Sequence, residues 1–260
     1  MISIQETGRF FELDAAGYIV NDTSRDRILP EFLPLLAAIV QTYQKELGAQ
    51  LHSIYLRGTL ARGLFSAISD IDTFALVHQP GLRWKKTNWP VEYRSSWPVI
   101  GRFSGEIEMM LSSFQSNLRS NYPGLAVQIK TQSLCLFGDD VAAQIAPYRI
   151  ERDLMLNSPW LAADLADYQA NPSLASGRQL MKTILRSGFE LVMQRMQAYT
   201  PDLYLCYRSF TKFYPRQEKL MKQALHNYLN PTDIDQSISQ ITAELLPFLE
   251  REIRHHLGDL

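Results

Sequence analysis

The chain has 260 residues, 46% hydrophobic and 20% charged, a composition suited to a globular protein of one large domain or two modest ones. Its 26 Lys and Arg against 27 Asp and Glu leave a formal net charge of -1, and no long basic run occurs, which argues against a protein held to nucleic acid by phosphate neutralisation. No run of about 18 apolar residues offers a membrane span and MISIQETGRFFELD lacks the basic-then-apolar order of a signal peptide, so the expected location is the cytoplasm.

In chain order, FFELDAAGYIVND (10–22) alternates and breaks at AAG, which predicts a small hairpin or extended arm. Over 26–47, Ile28, Leu29, Phe32, Leu33, Leu36, Ile39, Val40, Tyr43 and Leu47 recur at three- and four-residue steps, with Gly48 at the cap position: a helix with one apolar face. LHSIYLRG reads as a strand, TLARGLFSAIS as a turn passing into an incipient helix, and DIDTFALVH as a second strand. The segment 79–101, broken by prolines and carrying Trp84, Trp89 and Trp97, predicts a loop with a short helix. EIEMMLSSF predicts a third strand, and AVQIKTQSLCLFG further β-prone pieces ending at Gly138. Cys135 and Cys206 stand in apolar surroundings and are expected as buried packing residues.

After Pro147 the character becomes helical. NSPWLAADLADYQ has Ser158 as N-cap and Pro159 at the first helical position, and further helical patterns cover 179–198, 216–229 and 232–257. In the last, Ile234, Ile238, Ile241, Leu245, Leu249 and Ile253 form one stripe. The expected division is 1–147 and 148–260, the second a helical bundle.

RGTLARGLFSAISDID (57–72) is where chemistry concentrates. A P-loop fails because Leu64 and Phe65 follow the second glycine, a dinucleotide fingerprint fails because Thr59 and Leu60 follow Gly58, and a calcium loop fails for want of an acid ladder. What remains is a glycine turn followed by two carboxylates. Asp70 and Asp72 are i and i+2, so on a strand they leave one face with alpha carbons about 6.6 Å apart. Two such carboxylates can share hard cations, magnesium above all, with a polyphosphate completing the shell. The turn at Gly58 lets backbone approach a phosphate, with Thr59 as the hydroxyl.

YLRGTLARGLFSAISDIDTFAL resembles the nucleotidyltransferase superfamily that includes DNA polymerase beta and the aminoglycoside nucleotidyltransferases. The resemblance implies an α+β fold: a small mixed nucleotidyltransferase sheet flanked by helices, followed by an all-helical C-terminal domain. It implies a third acid from the next strand, Glu106 or Glu108, of which Glu108 fits the pattern better. Catalysis and metal binding then fall to Asp70, Asp72 and Glu108 with two Mg²⁺ ions, and nucleotide binding to Gly58, Thr59, Arg62, Ser69 and Lys212. Arg62 also reads as a surface arginine, and Lys182, Arg186 and Arg208 are further basic candidates. The implied partners are a nucleoside triphosphate, ATP by default, and an acceptor that is a small aminoglycoside-like molecule or a protein side chain. Because the strand face offers few groups to enclose an acceptor, the expected acceptor site is a cleft between the domains, with Glu190, Tyr207 and Lys212 of the helical part facing it. A non-catalytic nucleotide-binding regulator is the rival reading.

Overall fold

Pro30 and Pro34 decide where the first long helix begins. In the computed structural model, which describes residues 2–66, 69–79, 82, 107–114, 124–231 and 235–257, 3-10 turns occupy Arg25–Arg27 and Pro30–Phe32 before α1, Leu33–Leu47. The helix expected from residue 26 thus starts later, because proline has no amide to donate and is tolerated only in a first turn. It ends where expected, at Gly48 with φ of 49°.

The chain divides into two compact units, Glu12–Tyr148 and Met1–Phe11 with Arg149–Leu260. The first holds β1 (Leu51–Arg57), β2 (Ile71–Val77), β3 (Ile107–Ser113), α2 (Gly124–Gln132) and β4 (Ser133–Gly138). Sheet order is β3-β2-β1-β4, with β1 antiparallel to β2 and β4 and β2 parallel to β3, the mixed sheet the motif implied. Strand alternation sorts the core into two layers. Ile54, Leu56, Ile71, Ala75 and Val77 pack with the Leu35, Leu36, Ile39 and Leu47 face of α1, while Tyr55, Phe74 and Leu76 pack with Ile129 of α2 and with Val141. The predicted hairpin at 10–22 is present as a bridge between Leu13 and Ile19, its turn held by Asp14 Oδ1 accepting from the amides of Ala16 and Tyr18.

Two β and helix expectations fail here. AVQIKTQ, predicted β-prone, is the helix α2, in which Thr131 Oγ1 donates back to the Val127 carbonyl at 2.7 Å. Val127, Ile129 and Thr131 alternate like a strand, but burial of the helix, with Ile129 packed against Tyr55, Phe74 and Leu76 of the sheet, outweighs that propensity. The incipient helix after Gly58 is only a turn, closed by Leu64 N to Thr59 O at 2.8 Å and ended by Gly63 at φ of 70°. Cys135 is half-buried rather than buried, whereas Cys206 is buried. Trp84, Trp89, Trp97 and Glu106 lie outside the described residues.

The second unit holds α3 (Leu161–Ala170), α4 (Leu174–Met196), α5 (Leu203–Phe213), α6 (Glu218–Leu229), α7 (Asp235–Gln240), a π-helical turn (Ile241–Leu245) and α8 (Leu246–Leu257). The helical C-terminal region is as the resemblance implied. Helix α5 was not among the predicted patterns, since LYLCYRSFTKF is aromatic and β-prone; the Pro201-Asp202 start signal was there to be read. Gly188 of α4 lets helices meet closely, since a Cβ there would overlap Met221 Cε of α6 and stand 3.2 Å from Phe210 of α5. The predicted 232–257 stripe is buried at Ile238, Ile241, Leu245, Leu249 and Ile253, Ile234 lying outside the described residues, and the π turn ends two residues before Pro247, whose missing amide a regular helix would register as a broken bond. Among the described residues no helix is long and apolar enough to cross a membrane.

Candidate active site

Pairing between strands brings together what the sequence separates. Asp72 of β2 is the register partner of Glu108 on β3 and of Arg57 on β1, and Arg57 is in turn the partner of Ser133 on β4. One row across the sheet therefore reads Glu108, Asp72, Arg57, Ser133. These residues share the α2 face, because Tyr55 and Phe74, two positions along their strands, pack beneath α2. Adjacent strands lie about 4.8 Å apart, so neighbouring side chains in the row are within reach of one ligand.

Each side chain is held there by local structure. Gly58, at φ of 82°, turns the chain at the end of β1, and a Cβ on it would stand 3.0 Å from Asp72 Oδ2. A residue without a side chain gives the Asp72 carboxylate its place against the turn. The edge strand β3 is tied in by buried hydroxyls: Thr73 Oγ1 donates to the Glu108 carbonyl at 2.8 Å and Tyr43 Oη to the Met110 carbonyl at 3.2 Å. Burial pushes the Tyr43 phenol well above its usual range, so it stays a donor. Asp70 lies two residues before Asp72, just ahead of β2, and both acids are half-buried.

The nucleotide-contact candidates separate. Gly58 and Thr59 form the turn beside Asp72, and Ser69 Oγ accepts from the Ser66 amide at 3.0 Å in the loop that leads to Asp70. Arg62 is neither a surface residue nor available at the strand face: it is 1% exposed, and its Nε is 2.7 Å from Asp22 Oδ2. Lys212 belongs to the helical unit, exposed on α5 with its Nζ 6.0 Å from the Phe213 ring centre. The Arg186 Nε donates to the Pro201 carbonyl, and Arg208 lies 4.0 Å from Glu218.

Glu190 and Tyr207, expected to face an acceptor, are buried at 4% and 3% exposure. Glu190 receives the amides of Asn157 and Ser158, the Asn157 Nδ2 and the Ser158 hydroxyl. Ser158 therefore spends its hydroxyl on Glu190 and is not the predicted N-cap; Asn157 holds the cap position. A buried carboxylate needs donors, and these four absorb it.

Sequence reasoning missed Arg57, Gln128 and Ser133. Arg57 Nη1 donates to Gln128 Oε1 at 2.6 Å, its Nη2 stands 3.9 Å from Glu108 Oε2, and Ser133 Oγ donates to the Gln128 carbonyl at 2.9 Å. A charge ending the apolar run LHSIYLR was the available signal for Arg57. The oxygens of Asp70, Asp72 and Glu108 are hard donors of the kind that magnesium takes, and Asp72 and Glu108 are register partners on neighbouring strands. Among the described residues no three metal-binding side chains converge on one point, and Glu108 lies toward Arg57.

The mixed sheet with its helices and the helical second unit form an α+β fold that is shared with a solved adenyltransferase. Among solved structures, the chain is similar to the spectinomycin adenyltransferase AAD(9) from Enterococcus faecialis, crystallised with ATP and spectinomycin: the TM-score is 0.55 at 14% identity, covering 85% of this chain and 98% of that one. No model of a protein family matches the sequence, and no curated protein does.

Proposed function

We propose that this chain is a nucleotidyltransferase that moves AMP from ATP to a hydroxyl of a small-molecule acceptor. The observation that carries the reading is the register pairing of Asp72 with Glu108, beside the Gly58 turn, in a fold shared with an adenyltransferase solved with ATP and spectinomycin. Acids on one sheet face next to a glycine turn suit a metal-bound polyphosphate.

In the proposed reaction the acceptor oxygen attacks the α-phosphorus, the bond from that phosphorus to the bridging β-oxygen breaks, and pyrophosphate leaves with the electron pair. Asp70 and Asp72 hold the metal side of the triphosphate, and Glu108 completes the acid row or takes the proton from the acceptor hydroxyl. Bound magnesium would neutralise charge on the phosphates and on the departing pyrophosphate. Thr59 and the turn amides orient the phosphates, and positioning accounts for most of the rate.

The test is pyrophosphate release from a panel of nucleoside triphosphates and hydroxylated acceptors, aminoglycoside-like compounds first and protein acceptors alongside. Asp72→Asn is expected to lower turnover about a thousandfold while circular dichroism stays unchanged, since a half-buried acid at a strand start carries little packing. Wild-type turnover in that variant would remove the acid row from the mechanism.

A further inference from the structure

The row of acids contains one base. Arg57 lies between Asp72 and Ser133 in register and directly before the Gly58 turn, with 23% of its side chain exposed. A guanidinium presents five N–H donors in a planar fork. Of these, one is hydrogen-bonded among the described residues, Nη1 to Gln128 at 2.6 Å. Its Nη2 is 3.9 Å from Glu108, an ion pair too long to be a hydrogen bond, and its Nε is buried without an acceptor among the described residues. Folded proteins rarely leave a buried donor unmet, and where they do a ligand is one physical explanation.

Gln128 adds the second part of the argument. It sits on α2, its backbone carbonyl held by the Ser133 hydroxyl and its amide oxygen on Arg57, so the guanidinium is anchored from one side while the other faces the acid row. An anchored fork with unused donors matches the paired oxygens of a phosphate. The contact with Glu108, itself 46% exposed, is an ion pair without a hydrogen bond, one that a phosphate can displace.

We propose that Arg57, positioned by Gln128, binds phosphate oxygens of the triphosphate, and that it exchanges Glu108 for phosphate as the nucleotide arrives. This rests on the nucleotidyltransferase reading and adds a residue and an order of events to it. Before nucleotide binds, Arg57 occupies Glu108 and competes with a divalent cation for that carboxylate; once phosphate takes the guanidinium, Glu108 is released to the metal site. One substitution should then move two affinities in opposite directions, which a merely structural arginine would not do.

The experiment uses the full chain. A fluorescent ATP analogue is titrated in EDTA by anisotropy, and Mn²⁺ is titrated without nucleotide by the paramagnetic signal of the free ion. Arg57→Gln is expected to weaken analogue binding about tenfold, the loss of a charged hydrogen bond, and to tighten Mn²⁺ binding about threefold by unmasking Glu108. Gln128→Leu should weaken analogue binding by a smaller factor. Arg57→Lys, which keeps the charge and loses the fork, should bind the analogue more weakly than wild type with Mn²⁺ affinity unchanged; it carries the comparison if Arg57→Gln does not fold. Wild-type analogue affinity in the folded Arg57 variants would overturn this inference and leave the transferase reading standing. Failure of the wild-type chain to bind the analogue with or without Mg²⁺ would overturn both.

Discussion

Arg57 and Arg62 stand five residues apart in one motif and meet opposite environments. The Gly58 turn separates them, leaving Arg57 at the end of β1 among the acids and carrying Arg62 into the core. There Asp22, 8% exposed, receives Arg62 Nε at 2.7 Å and Arg27 Nη1 at 3.0 Å. A buried pair is costly to break from one side, because the partner keeps its charge out of water. Arg62→Met should therefore destabilise the chain by about 2–4 kcal/mol, Arg27 retaining part of the compensation. Urea denaturation measures this, and an unchanged midpoint would show that the Asp22 pair holds nothing together.

Helix α3 illustrates how an element can borrow its start from another. The turn Ser158–Trp160 ahead of α3 has no side-chain cap of its own, and Glu190, in the middle of α4, supplies the missing acceptor. A carboxylate at the first turn is favoured by the exposed amides and by the helix dipole. Burial pushes the Glu190 carboxyl above its usual range, while the donors from Ser158 and Asn157 pull against that rise. Glu190→Gln sets an NH₂ group against groups that themselves donate, and should cost about 2–4 kcal/mol. Ser158→Ala removes one donor and should cost about 1 kcal/mol. Calorimetry on the two variants checks the order; equal losses would mean that the carboxylate does not organise this helix start.

On the scale of the whole molecule, the opening segment of the chain belongs with its C-terminal part. Met1–Phe11 forms one unit with Arg149–Leu260, and its hydrogen bonds are specific. Arg9 N donates to Asp202 Oδ2 at 2.9 Å, Phe11 N to the Tyr199 carbonyl at 2.8 Å, and Thr200 Oγ1 to the Arg9 carbonyl at 2.9 Å. The Phe11 ring, 4% exposed, meets Tyr199 edge-on at 5.4 Å. Gly8, at φ of 98°, is required there, since a Cβ would come within 2.5 Å of Asp202 Cβ. Removing residues 1–11 strips a buried aromatic and these bonds from the helical unit, and should lower its melting temperature by about 5 °C or more. A chain lacking them that melts like the full one would make the segment an ornament.

Features that depend on near neighbours are legible in the order of residues alone. Gly58 followed by Thr59, and Ser69-Asp70-Ile71-Asp72 opening an apolar run, state a turn and a shared strand face locally, because positive φ favours glycine and side chains two apart on a strand point together. The 232–257 stripe was legible for the same reason, as a helical period repeated over several turns. Tertiary structure alone decided the rest. That Asp72 lies between Glu108 and Arg57 follows from parallel pairing with one strand and antiparallel pairing with another, whose partners are 36 and 15 residues away in the chain. That α2 is a helix follows from the sheet face it covers, and that Arg62 and Glu190 are buried follows from Asp22 and Ser158 reaching them across 40 and 32 residues. Burial and strand register are properties of the assembled chain, set by contacts that no local window contains.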